Sequence, residues 1–159
     1  MEKINNQEDI LELLAGNEET ISRLYTGYAQ RFPEMEDFWS RLAEDERNHA
    51  VWIRSLKEKT KNSESYISPE RFRPTAVKNF TTHTEKEIIE AGKPGYQTIN
   101  ALSVAFFLED SLIEKKYFEV ISTDSADLKN MLYKLESATR KHAQLIKEAR
   151  DEYNRQHGR

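Results

Sequence analysis

The chain has 159 residues, 33% of them charged and 37% apolar, with a net charge of −4 and no cysteine. That length and balance fit one domain, residues 1–159, with a real core, and argue against disorder. The missing cysteine excludes disulfides, thiolate zinc sites, cysteine-ligated iron–sulfur clusters and thiol nucleophiles.

Four long segments read as amphipathic helices. The first spans about Gln7 to Arg31, with Ile10, Leu14, Ile21, Leu24, Tyr25 and Tyr28 on one stripe, and Pro33 marks its end. The second runs from Pro33 or Glu34 to about Lys59. Its stripe of Phe38, Trp39, Leu42, Ile53 and Leu56 continues at helical spacing through two polar residues, Glu46 and His49. A long crossover follows, opening with the polar run Thr60–Ser65. It holds a shorter helix from about Pro74 to Ala91, closed by Gly92-Lys93-Pro94-Gly95. The third long helix spans about Tyr96 to Ser122, with Leu102, Phe106, Glu109, Ile113, Tyr117 and Val120 inward. A tight turn at Ser122-Thr123-Asp124 leads to the fourth, about Ser125 to Gln156, with Leu128, Leu132, Leu135, His142 and Ile146 inward.

The two halves superpose. A shift of 92 residues lays Ile10 on Leu102, Leu14 on Phe106, Ile21 on Ile113 and Tyr25 on Tyr117. With one more residue in the second turn, Trp39 falls on Leu132, Leu42 on Leu135, His49 on His142 and Ile53 on Ile146. Two helical hairpins joined by a long crossover predict an all-α four-helix bundle with an internal repeat.

The polar residues inside the stripes carry the chemistry. Glu46 and His49 lie three residues apart, about 60° around a helix and roughly 4.5 Å along it, so both can face one ion. A buried, unpaired carboxylate costs several kcal/mol, and a divalent metal would satisfy it together with the imidazole. A hydrogen-bonded Glu–His pair, or a stripe rotated to leave both at the rim, is the alternative. Glu109 sits near the centre of the third stripe, about 20° from Leu102. Glu18 lies at the edge of the first stripe, with Tyr25 two turns on, where its hydroxyl could bond a ligand carboxylate or simply pack. Glu19, Glu114 and Glu119 point outward.

These residues resemble the ferritin-like, rubrerythrin-type di-iron proteins, in which each half gives one Glu from its first helix and a Glu-x-x-His from its second. The resemblance rests on Glu18 to Tyr25, on Ala43-Glu44-Asp45-Glu46-Arg47-Asn48-His49-Ala50, on Leu108-Glu109 leading to Tyr117, and on His142-Ala143. It implies a ferritin-like bundle with Glu18, Glu46, His49, Glu109 and His142 as metal ligands and Glu46 bridging. The pattern breaks at Thr139, which stands where the second bridging Glu belongs; Glu136, a turn earlier, lies about 60° off that line. The cysteine-ligated iron module common in the family is absent.

The resemblance therefore implies iron, as two ions or as a single divalent metal in a degenerate site. It also implies an oxidoreductase reacting with peroxide or oxygen and drawing electrons from a separate protein. The competing expectation is a ferritin-like domain whose polar core serves binding or assembly. A homodimer is expected from the family and from spare apolar residues such as Phe107 and Phe118. Trp39, Trp52 and the pair Phe106-Phe107 are expected in core or dimer-face packing, and His83 and His157 in solvent or in packing. Acids and bases are mixed without a long basic block, so no nucleic-acid partner is expected. No apolar run approaches ~18 residues and MEKINNQEDI lacks the apolar stretch of a signal peptide, so no membrane span and a cytoplasmic location are expected.

Overall fold

Proline and glycine punctuate the helices where the backbone requires it. The computed structural model describes residues 7–60, 66–67, 74–114, 121–122 and 126–158. Pro33 disfavours helical geometry at Phe32 and so ends α1 (Gln7–Arg31). A single 3-10 turn, Pro33–Met35, then reverses the chain into α2 (Glu36–Thr60). Backbone bonds from Phe32 N to Tyr28 O and from Met35 N to Phe32 O satisfy the turn. Glu36 and Asp37 place acids in the first turn of α2, where the helix dipole favours them.

Helix α3 (Pro74–Ala91) opens on proline, whose missing N–H is harmless in a first turn. It stops at Gly92, and Gly95, at φ +86°, takes a left-handed conformation that glycine adopts without strain. Helix α4 (Thr98–Glu114) begins under a side-chain cap, Asn100 Oδ1 accepting the Gln97 backbone N–H at 2.8 Å. Helix α5 (Ala126–Gln156) is the longest, at 31 residues.

One expectation is corrected. Ile121–Ser122 does not extend the third helix but forms β2, paired antiparallel with β1 (Tyr66–Ile67) in the crossover. The β-branched Ile121 suits an extended strand, and a partner strand so distant in sequence leaves no trace in helical periodicity. The side chains of Ile10, Ile113, Glu114, Tyr117, Phe118, Glu119, Val120 and Leu128, the turn Thr123-Asp124 and most of the polar run after Thr60 lie outside the described residues.

Apart from that short pairing the described chain is all-helical, a bundle of five helices. Helix α1 packs along α2 and α3, and α4 packs along α5; α2 also meets α5. The core draws Leu14, Ile21 and Leu24 from α1, Trp39, Leu42 and Ile53 from α2, Leu102 and Leu108 from α4, and Leu135 and Ile146 from α5. Near the α1–α2 turn an aromatic cluster closes one end. The Trp39 ring lies 4.8 Å from Tyr28 and 5.5 Å from Tyr25, and the Tyr28 and Tyr96 hydroxyls meet at 2.8 Å. Thr81 on α3 donates to Asn17 Oδ1 on α1 at 2.9 Å. Outside, Arg54 of α2 bridges back to Glu12 and Glu19 of α1. Among the described residues no helix is long and apolar enough to cross a membrane.

Candidate metal centre

All five polar residues singled out from the stripes meet in the interior, and none is more than 4% exposed: Glu18, Glu46, His49, Glu109 and His142. Glu18 is buried rather than at the edge of its stripe, because α2 covers that flank of α1. Two triads form, Glu18–Glu46–His49 and Glu46–Glu109–His142, each with ligand atoms mutually within 4.8 Å. Glu46 belongs to both. Its Oε2 lies 3.0 Å from His49 Nδ1 and its Oε1 lies 2.8 Å from His142 Nδ1, so one carboxylate spans the two halves. Glu18 Oε2 is 4.0 Å from His49 Nδ1, and Glu109 Oε1 is 3.7 Å from His142 Nδ1. The two imidazoles stack with centroids 5.5 Å apart.

Burial and mutual charge set the proton affinities of the cluster. Burial pushes the Glu18 carboxyl well above the ordinary value, and the neighbouring Glu46 charge adds to this. Burial also raises Glu109, to about 7, with Glu46 again contributing. For Glu46 burial acts in the same direction but is outweighed by hydrogen bonds from Glu18, His142 and His49, which hold it well below the ordinary range. Burial would discharge His142, yet its bonds to Glu109 and Glu46 prevail and raise it to about 11. The result is an ionised Glu46 accepting from three sides, beside a charged His142.

Two further residues set the geometry. The Tyr25 hydroxyl, fully buried, donates to Glu109 Oε1 at 2.7 Å, the first of the two alternatives open for it from its place on α1. Asp45 Oδ2 lies 3.0 Å from His142 Nε2, and sequence reasoning missed it. Asp45 is exposed and off the apolar stripe, so periodicity passes over it; only its position beside Glu46 marks it. A carboxylate on the outer ring nitrogen fixes the imidazole and leaves Nδ1 facing the cluster, as in many histidine metal sites. Asp45→Asn should weaken divalent metal binding by about 10–100-fold while leaving the helical content unchanged. Competition with a chromophoric chelator, alongside circular dichroism, reads both.

Thr139 is buried, and its hydroxyl donates to its own helix backbone, at Leu135 O, at 3.0 Å. Glu136 does not fill the gap: it pairs with Arg140 at 2.9 Å. Glu19 is exposed as expected. His83 lies at the surface beside Glu87, and His157 bonds Tyr153 O in the last turn of α5. Trp39 is core, whereas Trp52 is 38% exposed with its ring 5.5 Å from that of His49.

The donor set fits a divalent cation pair. It offers three carboxylates and two imidazoles, the mixed oxygen and nitrogen ligands that first-row metals accept. Two buried carboxylate oxygens, Glu18 Oε1 and Glu109 Oε2, find no hydrogen-bond partner among the described residues. A buried polar atom without a partner costs about 1–3 kcal/mol, more when charged, and these two belong to different triads, both of which contain Glu46. No family model, no curated protein and no solved structure matches the chain.

Proposed function

We propose that this protein binds two divalent metal ions, of which iron suits the ligand set, in a ferritin-like bundle of the rubrerythrin type. One observation carries the reading: two buried triads share Glu46, and each holds a carboxylate oxygen without a hydrogen-bond partner among the described residues. Glu46 would be shared by both ions, Glu18 and His49 would hold one, and Glu109 and His142 would hold the other. Tyr25 orients Glu109 and Asp45 orients His142. When bound, an iron pair supplies redox chemistry toward peroxide or oxygen. The protein's part is to keep the ligands rigid and the interior closed to bulk water. These residues contain no cysteine for a thiolate iron module, so a redox cycle would draw its electrons from a donor outside them. Exposed Phe107 and Ile89 suit a homodimer contact.

The second reading is a polar core that protons alone satisfy, serving assembly. The three-sided hydrogen bonding of Glu46 and the Thr139 hydroxyl bonded to its own backbone favour it.

Metal analysis of protein purified without chelator separates the two. About two irons per chain are expected on the first reading, and none on the second. Thr139→Glu restores the fourth carboxylate and should tighten the weaker of the two metal positions by about tenfold or more. Unchanged metal affinity in that variant, measured by chelator competition, would mean that Thr139 does not occupy the place of a ligand.

A further inference from the structure

A file of oxidisable rings leads from the candidate metal centre to the surface. The Tyr25 hydroxyl bonds Glu109, and the Tyr25 ring lies 5.5 Å from Trp39. Trp39 lies 4.8 Å from Tyr28, and Tyr28 stacks on Tyr96 at 6.0 Å, with their hydroxyls 2.8 Å apart. Tyr25, Trp39 and Tyr28 are fully buried, whereas Tyr96 is partly exposed.

Packing alone does not account for these residue types. In the internal repeat Tyr28 corresponds to Val120 and Trp39 to Leu132, so the second half places aliphatic residues there. Trp39 Nε1 is buried without a hydrogen-bond partner among the described residues, a cost that phenylalanine would avoid. A buried polar atom left in that state asks for a functional reason, and a redox role is one. Indole and phenol rings give up an electron far more readily than benzyl or aliphatic side chains, and rings in contact pass it on.

Peroxide sets the demand. Its reduction to two waters takes two electrons and two protons, of which oxidation of a single ferrous ion to ferric covers one electron. Reduction by that electron alone would leave a hydroxyl radical among the ligands. Resting on the iron reading above, we propose that Tyr25, Trp39, Tyr28 and Tyr96 form a relay that supplies the second electron from the surface. Tyr96 is oxidised to its phenoxyl radical and releases its proton to water. The electron moves inward ring by ring, and the three inner rings return to their starting state. With one further proton from solvent the peroxide ends as two waters. A one-electron reductant in solution, of the ascorbate class, restores Tyr96.

The test loads the protein with one ferrous ion per chain in the absence of oxygen and adds hydrogen peroxide with a nitroso spin trap. Tandem mass spectrometry locates the adducts, with iron content measured alongside. The adduct should form on Tyr96 in preference to Tyr133, which stands on α5 outside the file and is 70% exposed. Trp39→Leu, which copies the second half, and Tyr28→Phe, which keeps the ring without the phenol, should each lose the Tyr96 adduct. Iron content and circular dichroism should be retained in both. Should a variant fail to fold, the other and the comparison of Tyr96 with Tyr133 decide. Labelling of Tyr133 at or above Tyr96 overturns the proposal, because attack from solution would produce it. So does a Tyr96 adduct that persists in the variants or forms equally without iron. These outcomes leave the metal centre standing. A protein that takes up no iron overturns both.

Discussion

Glu46→Gln is expected to empty both metal positions at once. The amide keeps the size and shape of the carboxylate, so the bundle should persist with unchanged far-ultraviolet circular dichroism. It removes the negative charge that both triads share, and a neutral amide oxygen is a poor bridge between two cations. Affinity should fall by more than the about 10–100-fold that loss of a supporting group causes, and metal content should drop from two per chain to well below one. Glu18→Gln makes the contrast. It touches one triad only, so one metal should remain. Equal losses in the two variants would refute the shared role of Glu46, and so would full loading of Glu46→Gln.

Metal-free protein should lose stability as pH rises from about 5.5 to about 8.5, against the usual behaviour of acid-sensitive carboxylate pairs. His142 is raised from 6.5 to about 11, so its stabilising contribution is complete below 6.5 and is lost as pH climbs toward 11. Glu109 is raised from 4.5 to about 7, and Glu18 is raised well above 4.5. Both favour the folded state while protonated and become costly as pH rises through their folded values. Glu46 has the opposite sign: its contribution is complete above 4.5 and is lost only in acid, below this window. Across neutrality the folded chain thus holds more protons than the unfolded one, and each retained proton lowers stability by about 1.4 kcal/mol per pH unit. Urea melts at the two pH values measure this directly. A stability that is flat or rises with pH would mean that the cluster is not buried and protonated in this way.

The same protons compete with metal. Cations need Glu18 and Glu109 ionised and Nδ1 of both histidines free, so binding should release more than one proton near pH 7 and tighten with pH. Calorimetry in buffers of different ionisation enthalpy counts the protons released. Release of none would place the metal elsewhere.

Much of this was legible beforehand because helices declare themselves locally. The stripe of α1, the proline that ends it and the glycines after α3 follow from the 3.6-residue repeat and from backbone sterics. The inward turn of Glu46, His49, Glu109 and His142 follows from the same repeat, since each falls among leucines and isoleucines that must be buried. Where a distant partner decided the backbone, the reading failed. Ile121–Ser122 is extended because Tyr66–Ile67 is there to pair with it.

The sequence by itself thus determined the helices, their buried faces and which polar residues lie on them. Only the tertiary structure decided which of those residues meet: that the two oxygens of Glu46 reach one imidazole each, that Asp45 reaches the outer nitrogen of His142, and that the Thr139 hydroxyl bonds its own backbone. A period states the direction of a side chain around its own helix axis. Whether two side chains meet depends on how far the helices slide and cross, which the packing of the whole core sets.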